Sequence, residues 1–264
     1  MPDLISQNFL KKNKKLVTFI TAGDPDFDTC NKIIENIIKN KVDILEIGMP
    51  FSDPMADGPT IQLSSTRALK NETTLEEVFK LSNNAKKFNK ELPVILMGYY
   101  NVIFHYGIEN FVEKCLLSGV DGLIIVDLQP EEDEDLIKLL NKNNIKLIRL
   151  ITPTTNEERL QLILKNASGF LYYVSVVGVT GQKSANIDEL ERSIQFVRRY
   201  TNLPIIPGFG INNSEDVKRI CKISDGAVVG SSIIKIIERN LDNKKQMLEQ
   251  IDTFIKELKL GTNI

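Results

Sequence analysis

The sequence alternates regularly between short apolar segments and longer segments whose apolar residues recur at helical spacing. Eight apolar segments occur, at 16–21, 42–48, 93–97, 122–127, 145–151, 170–175, 204–208 and 227–230. Many of them are apolar on both faces, which is typical of strands that are covered by helices on two sides. Strands that alternate with helices in this way favour a parallel sheet. The pattern therefore predicts an α/β fold.

Eight such units favour closure of the sheet into a parallel (β/α)8 barrel of the TIM type. Apolar residues at 247, 251, 254, 255 and 258 predict an additional amphipathic helix at the C-terminal end, and we expect a further helix at the N-terminal end. Thr74 and Glu77 have the spacing of a capping box at the start of a long helix. An open doubly wound sheet is the alternative, because periodicity alone does not exclude it.

Length and composition restrict the class of protein. The chain has 264 residues, and since barrels of this type have about 250 residues, we expect a single domain over 1–264. A net charge of −2 gives no indication of a nucleic-acid surface. No apolar run reaches the roughly 18 residues that a membrane span needs, and residues 1–5 do not begin a secretory signal. The three cysteines are widely spaced, so we expect buried thiols and a cytoplasmic location.

Histidine is scarce, and its scarcity limits the possible chemistry. His105 is the only histidine, which excludes a site with several histidine ligands and leads us to expect no metal. It follows an apolar segment, and we predict that it lies in a loop without a catalytic role. Catalysis would then rest mainly on carboxylates, hydroxyls, lysines or backbone amides.

Glu46 is a carboxylate within the second apolar segment, where Ile44, Leu45 and Ile47 indicate burial. Burial raises the pKa of a carboxyl group. A raised pKa suits a residue that must give and take a proton near neutral pH. A salt bridge to a lysine or arginine of the barrel is the alternative role for this side chain.

Asp57 lies in the loop 51–59, directly after the segment that carries Glu46. Reactive groups of such barrels lie at the carboxyl ends of the strands and in the loops that follow them. Both acids can therefore face one pocket, where two carboxylates in different environments form a natural acid–base or acid–electrostatic pair. A simple turn is the alternative, because the loop is rich in proline, glycine and aspartate.

Glycine-rich sequences follow the last three predicted strands, at 178–181, 208–210 and 230–232. Barrels of this type often bind a phosphate between the loops after strands seven and eight, at the N-terminus of a helix. Glycine lets backbone N–H groups approach the anion, and the helix dipole favours its charge. None of the three clusters is a dinucleotide fingerprint or a P-loop. Their joint position predicts a phosphate site.

Aromatic residues also occur at predicted strand ends, where most would fill the core and several could instead form the wall of a flat apolar ligand. These residues are Phe19, Tyr99, Tyr100, Tyr172, Tyr173 and Phe209.

The segment 46–60, with the sequence EIGMPFSDPMADGPT, resembles the signature of the tryptophan synthase alpha chain family. The resemblance extends over essentially the whole chain and includes FITAGD at 19–24, MGYYN at 97–101 and SVVGVTG at 175–181. It implies a lyase of L-tryptophan biosynthesis. The implied reaction is the retro-aldol cleavage of indole-3-glycerol phosphate to indole and glyceraldehyde 3-phosphate.

The resemblance also implies roles for individual residues. Glu46 corresponds to the general acid/base, and Asp57 to the group that binds the indole N–H and stabilises positive charge on the ring. The residues that correspond to the phosphate site are Gly181, Gly210, Gly230 and Ser231. Those that correspond to walls of the indole pocket are Phe19, Tyr172 and Phe209. Thr180 corresponds to a mobile-loop residue that closes over Asp57.

The family works as an αββα complex with a beta chain that uses pyridoxal phosphate, so the resemblance implies that this chain binds no cofactor itself. Residues that correspond to the contact face are Pro50, Asp53 and Asn101. Val176 stands where the best-known members carry an arginine, a difference that affects the expected loop closure and not the reaction.

Two other functions would suit a phosphate-binding barrel. A sugar-phosphate isomerase or epimerase would share the glycine-rich loops, but it would not need Glu46 and Asp57 on one strand and its loop. An inactive subunit that only activates a beta chain would be expected to have lost one of these acids, and this chain keeps both.

Overall fold

The computed structural model describes residues 3–132, 134–174, 183–208 and 210–264. Within these residues, nine strands form one sheet in which neighbouring strands run parallel. The strands are β1 (Lys15–Thr21), β2 (Ile44–Gly48), β3 (Val94–Gly98), β4 (Gly122–Ile125), β5 (Lys146–Leu147), β6 (Arg149–Ile151), β7 (Leu171–Val174), β8 (Ile205–Gly208) and β9 (Gly226–Val229).

The sheet returns on itself. The order of neighbours is β5-β4-β3-β2-β1-β9-β8-β7-β6, and its two ends, β5 and β6, are separated in the sequence by Ile148 alone. The sheet is therefore a nearly closed parallel barrel. This confirms the predicted TIM fold and excludes the open sheet.

The predicted fifth strand, 145–151, is divided in two at Ile148, so the structure has nine strands where the sequence indicated eight. The Leu147 N–H donates to the hydroxyl of Ser168 at 2.9 Å, where a regular ladder would offer a strand carbonyl. The Ile148 N–H still donates to the Leu123 carbonyl at 2.9 Å. A side-chain acceptor thus interrupts the strand without changing the path of the chain.

Twelve helices occur in the described residues, and α1 and α12 are the predicted additional terminal helices. They are α1 (Leu4–Leu10), α2 (Phe27–Lys39), α3 (Pro59–Lys70), α4 (Leu75–Phe88), α5 (Tyr100–Tyr106), α6 (Ile108–Leu117), α7 (Glu134–Lys142), α8 (Glu157–Asn166), α9 (Lys183–Val197), α10 (Ser214–Ile223), α11 (Ser231–Arg239) and α12 (Lys244–Leu260).

Two layers of inward-facing side chains fill the barrel, as its alternating strand geometry requires. The lower layer is apolar and consists of Val17, Ile44, Ile95, Ile124, Ile148, Phe170, Ile206 and Val228. Ile5 of α1 packs into it and closes the N-terminal end of the barrel. Two residues further along a strand, the side chain returns to the same face. The upper layer therefore contains Phe19, Glu46, Met97, Val126, Leu150, Tyr172, Gly208 and Gly230.

Two local predictions are confirmed and one is wrong. Thr74 and Glu77 form the predicted capping box of α4, and the three cysteines are free and buried. His105, predicted in a loop, lies instead in the last turn of α5, with an exposed side chain. Strand β3 ends at Gly98, close to the predicted end of this segment, and α5 begins only two residues later, so the predicted loop is helical.

Helix α3 is not evident in the sequence pattern. Its buried residues are Ser64, Ser65 and Ala68, so it lacks the apolar stripe by which amphipathic helices are recognised. Small side chains instead let this helix lie close to the barrel. Among the described residues, no helix has both the length and the apolar character that a membrane crossing requires.

Candidate active site

Glu46 lies in the middle of β2 and is completely buried. It is in register with Phe19 of β1 and Ile95 of β3, both of which face the barrel interior. Among the described residues, neither carboxylate oxygen of Glu46 has a hydrogen-bond partner, and no lysine or arginine forms an ion pair with it. The salt bridge considered as an alternative is therefore not formed within this part of the chain.

Burial without a partner determines the protonation state of Glu46. Desolvation disfavours the charged form and raises the pKa of this carboxyl group from 4.5 to about 8. At neutral pH the group is therefore mostly protonated, yet close enough to its pKa to exchange a proton in either direction. This combination is typical of a general acid/base.

Asp57 lies in the loop between β2 and α3, at the carboxyl end of the barrel. The hydroxyl of Tyr99 donates to Asp57 Oδ2 at 3.1 Å, while the same hydroxyl accepts the Ala56 N–H at 3.0 Å. The Tyr99 ring stacks on Phe51, with the ring centroids 4.9 Å apart. Tyr99 thus holds both ends of the loop segment that presents Asp57.

The pKa of Asp57 is also raised, because the loop partly buries the carboxyl group. The hydrogen bond from Tyr99 opposes this effect and lowers the pKa, since it stabilises the charged form. Asp57 therefore keeps a partner for its charge, whereas Glu46 has none among the described residues. The two acids have different environments, as the sequence predicted.

Tyr172 lies close enough to both Glu46 and Asp57 for their charges to act on its hydroxyl. It belongs to the same upper layer as Glu46, and its pKa is raised by burial and further by the charges of Glu46 and Asp57. A side chain at position 208 would meet the Tyr172 hydroxyl at 2.6 Å. Glycine at this position therefore makes room for the phenol within the barrel.

Phe19 forms a second wall of the same region. A cavity of about 20 Å³ lies beside it and is lined by Asp57, Met97, Tyr99 and Val126, among others. A side chain at Gly48 would meet the Phe19 ring at 2.6 Å, so glycine is needed for the ring to lie over β2. Phe19 and Tyr172, both predicted as walls, thus lie in the layer that contains Glu46.

The predicted phosphate residues in the described part of the chain come together at the start of α11. Gly230 precedes this helix, and Ser231 is its first residue. The Ser232 hydroxyl donates to the Ile211 carbonyl, which ties the loop after β8 to the same helix end. Apart from its neighbours in the chain, no atom of the described residues lies within 4 Å of the position of a side chain at Gly210. Free N–H groups and the dipole at the N-terminus of a helix attract anions.

The residues predicted for the partner contact lie at the carboxyl end of the barrel. Pro50 and Asp53 belong to the Asp57 loop, and Asn101 lies in the first turn of α5. Two large apolar side chains of the same segments are exposed, Met55 by 83 % and Phe104 by 67 %. Exposed apolar groups on adjacent segments are typical of an interaction surface.

Four residues named in the sequence analysis lie outside the described residues: Thr180, Gly181, Phe209 and Val176. Within the described ranges there is no group of three or more acidic, histidine or cysteine side chains that could hold a metal ion.

The sequence analysis did not assign the role of Tyr99. It named this residue only among aromatic side chains near strand ends, whereas the structure places its hydroxyl against Asp57. One signal was present in the sequence: a tyrosine that is buried next to a strand end needs a partner for its hydroxyl. The partner itself comes from a loop 42 residues away, which periodicity does not indicate.

Comparison with known proteins gives a consistent result. A family model described as tryptophan synthase alpha chain matches residues 5–263. The tryptophan synthase alpha chain of Petrotoga mobilis is 46 % identical, over 97 % of this chain and 98 % of that protein. The protein of the same name from Geotalea uraniireducens is 44 % identical, over 96 % of this chain and 94 % of its own length.

The solved structures agree with the sequence relatives. The tryptophan synthase subunit alpha of Legionella pneumophila is 33 % identical and superimposes with a TM-score of 0.92, over 100 % of this chain and 99 % of that one.

Proposed function

This chain belongs to the tryptophan synthase alpha chain family, and we propose that Glu46 and Asp57 carry out the family's reaction in it. The chain is a carbon–carbon lyase that cleaves indole-3-glycerol phosphate to indole and glyceraldehyde 3-phosphate. The observation that supports the two roles best is the contrast between the carboxyl groups. Glu46 is buried without a hydrogen-bond partner in the described residues, whereas Asp57 accepts a hydrogen bond from Tyr99.

In the first step, protonated Glu46 gives its proton to C3 of the indole ring, the carbon that bears the glycerol chain. The ring becomes an indolenine with positive charge at its nitrogen. Asp57 accepts a hydrogen bond from the ring N–H and stabilises this charge as a carboxylate. Burial raises the pKa of Asp57, and the hydrogen bond from Tyr99 opposes this effect and so favours the ionised form that this role requires.

In the second step, the carboxylate of Glu46 takes the proton of the hydroxyl on the carbon next to the ring. The bond between this carbon and C3 breaks, its electrons return to the ring, and an aldehyde forms. Glu46 is protonated again, so the cycle needs no external acid or base. One group serves both steps because its pKa of about 8 lies near neutral pH.

The phosphate is the second anchor of the substrate. We propose that it binds to the N-terminus of α11 at Gly230 and Ser231, and that Gly210 and Gly181 are further phosphate contacts. Phe19, Tyr172 and Phe209 would enclose the indole ring, and Thr180 would close over Asp57. The helix dipole and backbone N–H groups bind an anion without a metal ion.

A beta chain is the expected partner of this family. We propose that it docks on the face around Pro50, Asp53 and Asn101, as one arm of an αββα complex. The exposed side chains of Met55 and Phe104 support this choice, because they add apolar surface to the same segments. Pyridoxal phosphate would belong to the beta chain, which would receive the indole.

The test of this function is a direct assay. The purified chain is incubated with indole-3-glycerol phosphate, with and without a tryptophan synthase beta chain, and indole is measured over time. Release of indole is expected in both cases. A chain that releases no indole under either condition would refute the proposed activity, and a chain that only accelerates the beta chain would be the inactive activator considered above.

A further inference from the structure

Arg67 of α3 forms a two-point ion pair with Asp24, which follows β1. Arg67 Nε lies 2.7 Å from Asp24 Oδ1, and Nη2 lies 2.9 Å from Oδ2. The Asp24 side chain is completely buried, and that of Arg67 is 19 % exposed. Paired donors on a planar guanidinium fix the direction as well as the distance of a carboxylate. The pair therefore holds α3 rigidly against the carboxyl end of β1.

A second contact joins the same two elements one turn closer to the active site. The hydroxyls of Thr21 and Ser64 are 2.6 Å apart and buried. Near the start of α3, the Gln62 side chain donates to the Asp57 carbonyl at 2.8 Å. The position of α3 is thus transmitted to the backbone of Asp57 through the first turns of this helix.

Helix α3 also packs against α11, the helix whose N-terminus is the proposed phosphate site. Burial raises the pKa of Asp24, and the hydrogen bond to Asp24 raises that of Arg67. The charge of Glu238 in α11 makes a smaller contribution in the same direction to both, so α11 also acts on the ion pair. The ion pair accordingly lies where β1, α3 and α11 meet. Helix α3 leads to Asp57, at the ring end of the substrate, and α11 leads to the proposed phosphate site at the other end.

We propose that the Asp24–Arg67 ion pair is a strut that sets the spacing between Asp57 and the phosphate-binding end of α11. Both residues act through α3 and α11 and touch no reacting atom, so they are positioning residues. The inference rests on the proposed function, because it needs Asp57 at the ring and the phosphate at α11.

A strut of this kind has a consequence that a purely structural ion pair lacks. Indole-3-glycerol phosphate is held at both ends, so its reacting bond is aligned only if the two anchors are correctly spaced. A misplacement of about 1 Å can slow such a reaction about a hundredfold. Indole-3-glycerol has no phosphate and is held at the ring alone, so its cleavage does not depend on the spacing.

The experiment compares kcat/KM for these two substrates in wild type and in Arg67→Lys and Arg67→Met. Arg67→Met should lower kcat/KM for the phosphorylated substrate about tenfold or more and leave that for indole-3-glycerol within about twofold. Arg67→Lys keeps the charge but loses the two-point geometry, so its kcat/KM should lie between those of the wild type and Arg67→Met. Because Arg67→Met leaves a buried charge at Asp24, the double variant Asp24→Asn/Arg67→Met is measured as well.

Arg198→Met is the matched control, since Arg198 forms an ion pair with Asp225 just before β9, away from α3. This control should leave kcat/KM unchanged for both substrates. Equal losses for both substrates in Arg67→Met and in the double variant would show a merely structural role and overturn the strut, as would no loss for either. A wild-type chain that cleaves neither substrate would instead overturn the proposed function, and the strut with it. If Arg67→Met does not fold, the double variant decides.

Discussion

The strand that carries Glu46 and the loop that carries Asp57 place a carboxyl group in opposite environments. The strand buries a carboxyl group completely, among apolar neighbours and without a hydrogen-bond partner in the described residues. The loop leaves its carboxyl group partly accessible and supplies the Tyr99 hydroxyl. The first environment keeps a proton on the acid near neutral pH, and the second supports a charge. Division of acid–base and electrostatic work between two carboxyl groups follows from this difference.

The largest expected effect is the loss of proton transfer at the strand. Glu46→Gln keeps the shape of the side chain but holds no exchangeable acid, so kcat for indole release should fall about 10³-fold or more. The measurement is indole release under saturating substrate. Beta-chain binding should be unchanged, because Glu46 is buried in the barrel. A Glu46→Gln chain with near wild-type turnover would remove Glu46 from the mechanism.

The same substitution should stabilise the fold, in a manner that depends on pH. Between pH 4.5 and about 8 the folded chain retains a proton on Glu46 that the unfolded chain has released. Stability of the wild type therefore falls as pH rises through this window. Glutamine does not titrate, so Glu46→Gln should gain stability relative to wild type from pH 5 to pH 8, by at most about 5 kcal/mol.

Urea unfolding at pH 5 and pH 8 measures this gain. Glu35→Gln is the matched control, because Glu35 pairs with Lys39 near the surface of α2, where such pairs contribute about 0–1 kcal/mol. A stability difference between Glu46→Gln and wild type that does not change with pH would contradict the protonated state of Glu46.

A smaller loss of activity is expected at the loop. Asp57→Asn removes the charge that stabilises the indolenine and should lower kcat about 10²- to 10³-fold. Unfolding free energy should change little, since the loop is partly exposed. Circular dichroism and urea unfolding of the variant check that the chain remains folded. If the loss of activity were accompanied by aggregation, Asp57 would be assigned a role in folding instead.

The smallest effect should follow from removal of the Tyr99 hydroxyl. Tyr99→Phe leaves Asp57 without the hydrogen bond that lowers its pKa, so the acidic limb of the activity profile should move to higher pH. At neutral pH the loss should not exceed about 10²-fold, because a single hydrogen bond to a charged group contributes about 1.5–3 kcal/mol. The pH dependence of kcat/KM is the measurement.

Tyr100→Phe is the control for this variant. It removes a hydroxyl from the neighbouring residue, and the bond to Asp57 comes from Tyr99. It should leave the acidic limb where it is in the wild type. Equal profiles for Tyr99→Phe and wild type would show that Tyr99 does not influence the charge of Asp57.

The repeated strand and helix pattern was sufficient to predict the barrel, because burial of strands on both faces is recorded in runs of apolar residues. Features of the fold that are not marked by a run or stripe of apolar residues were not predicted. Helix α3 buries small residues, and the division of the fifth strand depends on Ser168, which lies 21 residues from Leu147. His105 shows the same limit at an element boundary, where a pattern is least informative.

The sequence by itself determined the fold class, the burial of an acid at Glu46 and the presence of a second acid in the loop that follows. These features are local, since a strand's composition and its next loop are read along the chain. Only the tertiary structure decided which groups act on those acids. Tyr99 reaches Asp57 from the position directly after the neighbouring strand β3, and Arg67 binds Asp24 across 43 residues. Such pairings depend on distances in space, which the order of residues does not contain.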